Sequence, residues 1–118
     1  MTQITIWHNP RCSKSRAALA LLEDRGVEVS IYKYLDTPPS KEKLTQLISW
    51  LEIAPRELMR TKEDIYKELN LKNETSDEKL IDAMVSNPKL IERPIVILGD
   101  RAVVGRPLEN IEALLTKL

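Results

Sequence analysis

A strand, a helix and a second strand follow one another within the first 34 residues, and that order constrains the fold more than anything later in the chain. Thr2 to Trp7 is a short run rich in Ile and Thr, which reads as a strand. Ala17, Ala18, Leu21 and Leu22 then recur at the spacing of one helical face, and Gly26 stands where a helix C-terminal cap belongs. Val27 to Tyr34 is again β-branched and alternating. The opening is therefore expected to be a β-α-β unit with its two strands parallel.

Pro38-Pro39 breaks the chain, and Ser40 is a good N-cap for a helix that buries Leu44, Leu47, Ile48 and Leu51. Pro55 suits the first position of a short helix through Leu58 and Met59. Thr61 with Asp64 and Thr75 with Glu78 have the spacing of a capping box or a near form of it, so two more helices are expected to start there. The later one carries Leu80, Ile81, Met84 and Val85, and Asn87-Pro88 ends it. The Lys- and Glu-rich stretch 62–72 reads as a solvated helix face. Ile95 to Leu98 is a buried-strand run, Gly99-Asp100 a tight turn, and Ala102 to Val104 the returning strand of a hairpin. After Gly105-Arg106-Pro107, Leu108, Ile111, Leu114 and Leu115 give the inward face of a last helix. The expected architecture is α/β in a single domain, 1–118: β-α-β, then a helical insertion at about 40–90 packed on the sheet, then β-β-α.

Composition removes several functions. At 118 residues the chain has room for an ordinary core, which must be aliphatic because Phe is absent. Eighteen basic residues balance eighteen acidic ones, so no overall field draws the protein to nucleic acid or to an anionic membrane. There is no long apolar run and no leader-like start, and one cysteine cannot form an internal disulfide, which together point to the cytoplasm. One Cys and one His are too few soft ligands for a zinc site, so no bound metal or cofactor is expected. Without a heptad run, a monomer is the default. Trp7 and Trp50 read as packing residues.

The chemistry concentrates at Cys12, in the run His8-Asn9-Pro10-Arg11-Cys12-Ser13-Lys14-Ser15-Arg16, where the first strand gives way to the first helix. A thiol just before a helix meets unpaired N–H groups and the positive end of the peptide dipoles, which favour thiolate over thiol. Arg11, Lys14 and Arg16 act in the same direction. The alternative is an inert, buried cysteine, against which the polar and basic flanks argue. His8 either supports the thiolate as imidazolium or caps the strand end by hydrogen bonding. Ser15 either donates to the sulfur or serves only as a first-turn residue. Arg60, Arg93 and Arg106 each stand at an element edge; arginine's planar fork binds tetrahedral oxyanions, although most arginines are solvated charges or surface ion pairs.

His8-Asn9-Pro10, Cys12, Ser15-Arg16, Tyr34-Leu35, Pro38-Pro39-Ser40, Arg60, Asn87-Pro88, Glu92-Arg93-Pro94-Ile95-Val96 and Gly105-Arg106-Pro107 occur together here. In these residues the chain resembles the glutaredoxin-coupled arsenate reductase family over nearly its whole length, and is most similar to the short bacterial YfgD-like proteins. It stops soon after the last helix, without the C-terminal extension of the longer, arsenic-operon reductases, and carries Arg11, Ser13 and Lys14 where those have smaller or neutral residues. The resemblance implies a thioredoxin-like sheet with a helical insertion. It implies Cys12 as nucleophile, His8 and Ser15 as helpers of its ionisation, Arg60, Arg93 and Arg106 as the oxyanion triad, and Pro94 as the cis proline beside the cysteine. It further implies arsenate as substrate, glutathione as co-substrate and glutaredoxin as partner. Because the chain has no second cysteine, a mixed disulfide formed on Cys12 must be resolved by another protein. Two rivals share this fold. Spx-type regulators bind RNA polymerase and usually carry C-x-x-C, but Ser15 stands where the second cysteine would be, so no internal disulfide switch exists. A monothiol redox protein would use Cys12 and Pro94 but has no use for three arginines.

Overall fold

The computed structural model describes residues 4–106 and 108–116. Thr2 at the expected start of the first strand, and Pro107, lie outside them. The chain forms two compact units, Met1–Tyr34 with Arg93–Leu118, and Leu35–Glu92.

The first unit is a four-stranded mixed sheet with two helices. β1 (Ile4–Trp7), α1 (Ser13–Asp24) and β2 (Val29–Tyr32) form the expected β-α-β unit, with β1 and β2 parallel and Ile4 opposite Val29. β3 (Ile95–Leu98) and β4 (Arg101–Val104) are the hairpin, and α5 (Glu109–Leu115) ends the unit. The strand order is β2-β1-β3-β4, with β3 antiparallel to both neighbours and Ile4 paired to Leu98. Gly99 supplies the left-handed φ of +63° for the hairpin turn, and Gly26 the φ of +71° just past the C-cap of α1. β2 is shorter than the apolar stretch that announces it, because pairing with β1 stops where the four-residue β1 stops.

Ile4, Ile6, Val96 and Leu98 stand on one face of the sheet and meet Ala18 and Leu22 of α1 and Ile111, Leu114 and Leu115 of α5. Alternation along β1 turns Trp7 the other way, where it is fully buried against the rings of Tyr32 and Tyr34 at centroid distances of 5.2 and 6.3 Å.

The second unit is helical: α2 (Lys41–Leu51), a 3-10 turn Pro55–Leu58, α3 (Asp64–Glu68), a 3-10 turn Leu71–Asn73, α4 (Asp77–Ser86) and a 3-10 turn Pro88–Leu90. Ser40 caps α2 as expected, accepting from the Lys43 amide. Two starts differ from expectation. Ser76, not Thr75, caps α4, with its Oγ accepting from the Lys79 amide, and α3 begins after Glu63 with no side-chain cap, three residues beyond Thr61. Adjacent hydroxyl residues compete for one cap, and spacing alone does not rank them. The 62–72 stretch is likewise not one helix. It breaks at Asn70, which takes a left-handed φ of 53°, and buries Tyr66 and Leu71 while its charged residues face outward. Arg56 fastens this segment, donating to the Tyr66 hydroxyl at 2.5 Å and to the carbonyls of Leu71 and Glu74. The buried faces of α2 (Leu44, Leu47, Ile48) and α4 (Leu80, Ile81, Met84) follow the predicted periodicity, with Leu51 and Val85 at their edges only half-buried.

Gly105 joins β4 to the last helix where there is no room for a side chain: an added Cβ would lie 2.8 Å from Ile111 Cδ1 and 3.0 Å from the Pro94 ring. Gly105→Ala is expected to destabilise the protein by roughly 1–3 kcal/mol through overpacking. A urea midpoint equal to wild type would show that the fully buried Ile111 can move aside.

Candidate active site

The turn from β1 into α1 satisfies each of its own backbone donors. The His8 amide continues the β1–β2 ladder to the Tyr32 carbonyl at 2.8 Å, and the Asn9 amide donates to Ser15 Oγ at 3.0 Å. Pro10 has no N–H; the Arg11 amide donates to Asn9 Oδ1 and the Cys12 amide to the Asn9 carbonyl, both at 3.0 Å. Cys12, the N-cap residue of α1, makes no side-chain cap bond. Its sulfur stays available at the positive end of a helix of 12 residues. The first turn of that helix carries no acidic residue, but has Lys14 and Arg16. Cations there oppose the helix dipole, an arrangement suited to an anion bound nearby.

Cys12 is free and 8% exposed. The sequence flanks argue for an open thiol, but tertiary packing buries it while Arg11, Ser13 and Lys14 stay exposed around it. Burial here does not mean an apolar surrounding: Arg106 Nη2 donates to Cys12 Sγ at 3.5 Å. Arg106 is aimed by a second bond, from its Nε to the Arg93 carbonyl at 2.6 Å. The Arg93–Pro94 peptide is cis, as the resemblance implies, and the Pro94 carbonyl accepts from the Gly105 amide at 2.8 Å. The Arg93 side chain is half-buried, with its Nε enclosed.

His8 and Ser15 are both buried, at 5% and 0% exposure, and His8 Nδ1 lies 2.6 Å from Ser15 Oγ. Burial pushes the His8 pKa below its ordinary value of 6.5, and the positive charges of Lys33 and Arg16 push it the same way. The imidazole is thus held neutral, so of its two sequence readings the hydrogen-bonded one fits, with Ser15 rather than the strand end as partner. Ser15 is more than a first-turn residue, since its oxygen ties His8 and Asn9 to the helix start.

Arg60 belongs to the second unit, where two carboxylates hold it: Glu63 at 2.9 Å and Glu92 at 3.9 Å, all three side chains about a quarter exposed. The bonds from the Arg60 amide to the Leu90 carbonyl and from the Glu92 amide to the Leu58 carbonyl, both 2.7 Å, set Arg60 and Glu92 side by side. Glu63 stands at i+3, a spacing visible in the sequence, whereas Glu92 is more than thirty residues away and gave no signal. Among the described residues no three His, Cys, Asp or Glu side chains gather to hold a metal ion, and no helix is long and apolar enough to cross a membrane.

A buried thiol at a helix start, a guanidinium bonded to it and a cis proline beside that arginine's anchor, on a β-α-β/β-β-α sheet, define a thioredoxin-like thiol protein. The profile of the ArsC family matches residues 7–114, and the chain belongs to that family. It is 54% identical over 117 residues to a protein named arsenate reductase from Neisseria meningitidis serogroup A, covering 98% of this chain and all of that one. It is 53% identical over 111 residues to the uncharacterized protein YfgD of Escherichia coli K12, covering 92% and 93% of the two chains. The solved structure of an arsenate reductase from Vibrio cholerae superposes with a TM-score of 0.92 at 48% identity, covering 95% of this chain and 97% of that one.

A lowered His8 pKa fixes the sign of an acid effect. The unfolded chain takes up the proton first as pH falls, so this contribution to stability is complete above about 6.5 and is lost as pH drops from there toward the lower folded-state value. The melting temperature of the wild type should therefore decline faster between pH 7 and 5 than that of His8→Gln. Parallel curves would mean that His8 charges freely in the folded protein.

Proposed function

We propose that the protein reduces arsenate to arsenite through an adduct on Cys12, with glutathione and glutaredoxin supplying the electrons. Arg106 carries the assignment: a fixed cation 3.5 Å from the sulfur both favours the thiolate and meets a tetrahedral oxyanion that approaches it. The names of the relatives support arsenate as the oxyanion, and the resemblance supports glutathione and glutaredoxin as the thiol donors.

The Cys12 thiolate attacks arsenic(V) and forms a sulfur–arsenic bond, and an arsenate oxygen leaves as hydroxide or water. The first-turn amides of α1 with Arg106 and Arg93 neutralise the charge on the remaining oxygens. Glutathione thiolate then attacks the Cys12 sulfur; the sulfur–arsenic pair of electrons stays with arsenic, which departs as arsenic(III), and Cys12 is left in a disulfide with glutathione. With no second cysteine in the chain, glutaredoxin takes that disulfide apart. Neutral His8 acts through Ser15, fixing the turn that presents the sulfur. Arg60 is the third cation of this scheme by resemblance, and an oxyanion that uses it must compete with Glu63 and Glu92 for its fork.

A coupled assay with arsenate, glutathione, glutaredoxin, NADPH and glutathione reductase tests the whole sequence. Arsenate-dependent NADPH oxidation is expected and should fall to background in Cys12→Ser. Arg93→Ala should raise KM for arsenate about tenfold or more, the scale of one lost charge-assisted contact. No arsenate-dependent turnover, with Cys12 still alkylated readily at neutral pH, would reject the substrate and leave an activated thiol in need of another one.

A further inference from the structure

The geometry points to Asn110 as a positioning residue: its side-chain amide clamps the Val104–Arg106 turn and thereby keeps the Arg106 guanidinium beside the Cys12 sulfur. The inference rests on the reading that Arg106 supports the Cys12 thiolate. Asn110 lies in α5, half-buried, and touches neither the sulfur nor any atom that would react. Its Nδ2 donates to the Val104 carbonyl at 2.9 Å and to the Arg106 carbonyl at 3.2 Å. One amide nitrogen thus grips the two ends of a three-residue turn. The middle residue is tied the other way, by the Gly105 amide on the Pro94 carbonyl, and Ile111, next to Asn110, fills the space that Gly105 leaves beside it.

An arginine side chain has enough rotatable bonds to point almost anywhere, so its aim depends on where its backbone is held and on what grips its far end. For Arg106 the far grip is the Arg93 carbonyl and the near grip is Asn110. Two carbonyl acceptors demand two N–H donors on one short arm. Asparagine supplies them, alanine supplies none, and aspartate sets a carboxylate against two carbonyl oxygens.

The test is the rate of Cys12 alkylation by iodoacetamide, at a pH below the midpoint of its rate profile, in wild type, Asn110→Ala, Arg106→Ala and the double variant. Arg106→Ala is expected to slow alkylation about tenfold and Asn110→Ala about threefold, the scale of one lost charge-assisted contact and of its partial misalignment. The double variant should be no slower than Arg106→Ala, because Asn110 then has nothing to aim. A wild-type rate in Asn110→Ala, or the same threefold slowing in both backgrounds, overturns the inference. An unslowed Arg106→Ala would instead reject the reading of Arg106 on which it rests. If Asn110→Ala proves too unstable to compare, Asn110→Gln, which keeps two donors, is read against wild type and Arg106→Ala and should lie nearer wild type; a folded Asn110→Gln as slow as Arg106→Ala overturns the proposal.

Discussion

The rest of the site depends on a strand becoming a helix within five residues without leaving a backbone donor dry. His8, Asn9, Arg11 and Cys12 each place their amide on a partner inside the unit, and Pro10 has none to place. Ser15 is central to this solution, because its oxygen serves Asn9 and His8 together from inside the first helical turn. Where an N-cap serine would accept from a first-turn amide, Cys12 makes no side-chain cap bond, so the thiol at the helix start has no capping duty. The buried, neutral imidazole of His8 belongs to the same economy of hydrogen bonds.

The second half of the site comes from the opposite end of the chain. Because β3 lies antiparallel against β1 with Trp7 opposite Ile95, residues just before β3 are brought level with residues just after β1. The hairpin then returns β4 so that Val104 pairs with Ile95, and the residue two beyond it is Arg106. Sheet register therefore sets the Cys12–Arg106 distance, and a one-residue slip would send the core side chains to the wrong face. The apolar face that β1 and β3 share with α1 and α5, with Trp7 fitted against Tyr32 and Tyr34 on the other face, forbids that slip.

The sequence was most legible where a local rule acts alone: the parallel β-α-β opening, the Gly99 turn, the Ser40 cap and the inward faces of α2 and α4. It was least legible where local rules compete. Thr75 and Ser76 are both good caps, and only packing of α4 selects the second. Lys62 to Lys72 has the composition of a solvated helix, but Tyr66 and Leu71 are pulled inward and Asn70 breaks the helix between Leu69 and Leu71. Cys12 is buried, against what its flanks suggest, for the same reason. Basic neighbours report the charge around a residue and not how much of the chain folds over it.

The sequence by itself determined most of the elements, the position of a thiol at a strand-to-helix junction, and the lack of a second cysteine to pair with it. These follow from periodicity, turn chemistry and counting, which are local properties. The tertiary structure decided which cation meets the sulfur, because Arg106 is 94 residues from Cys12 and only sheet register joins them. It decided the protonation of His8, since desolvation is a property of the folded interior. It also gave Arg60 two carboxylate partners, one of them brought beside it by backbone pairing that no spacing in the chain foretells.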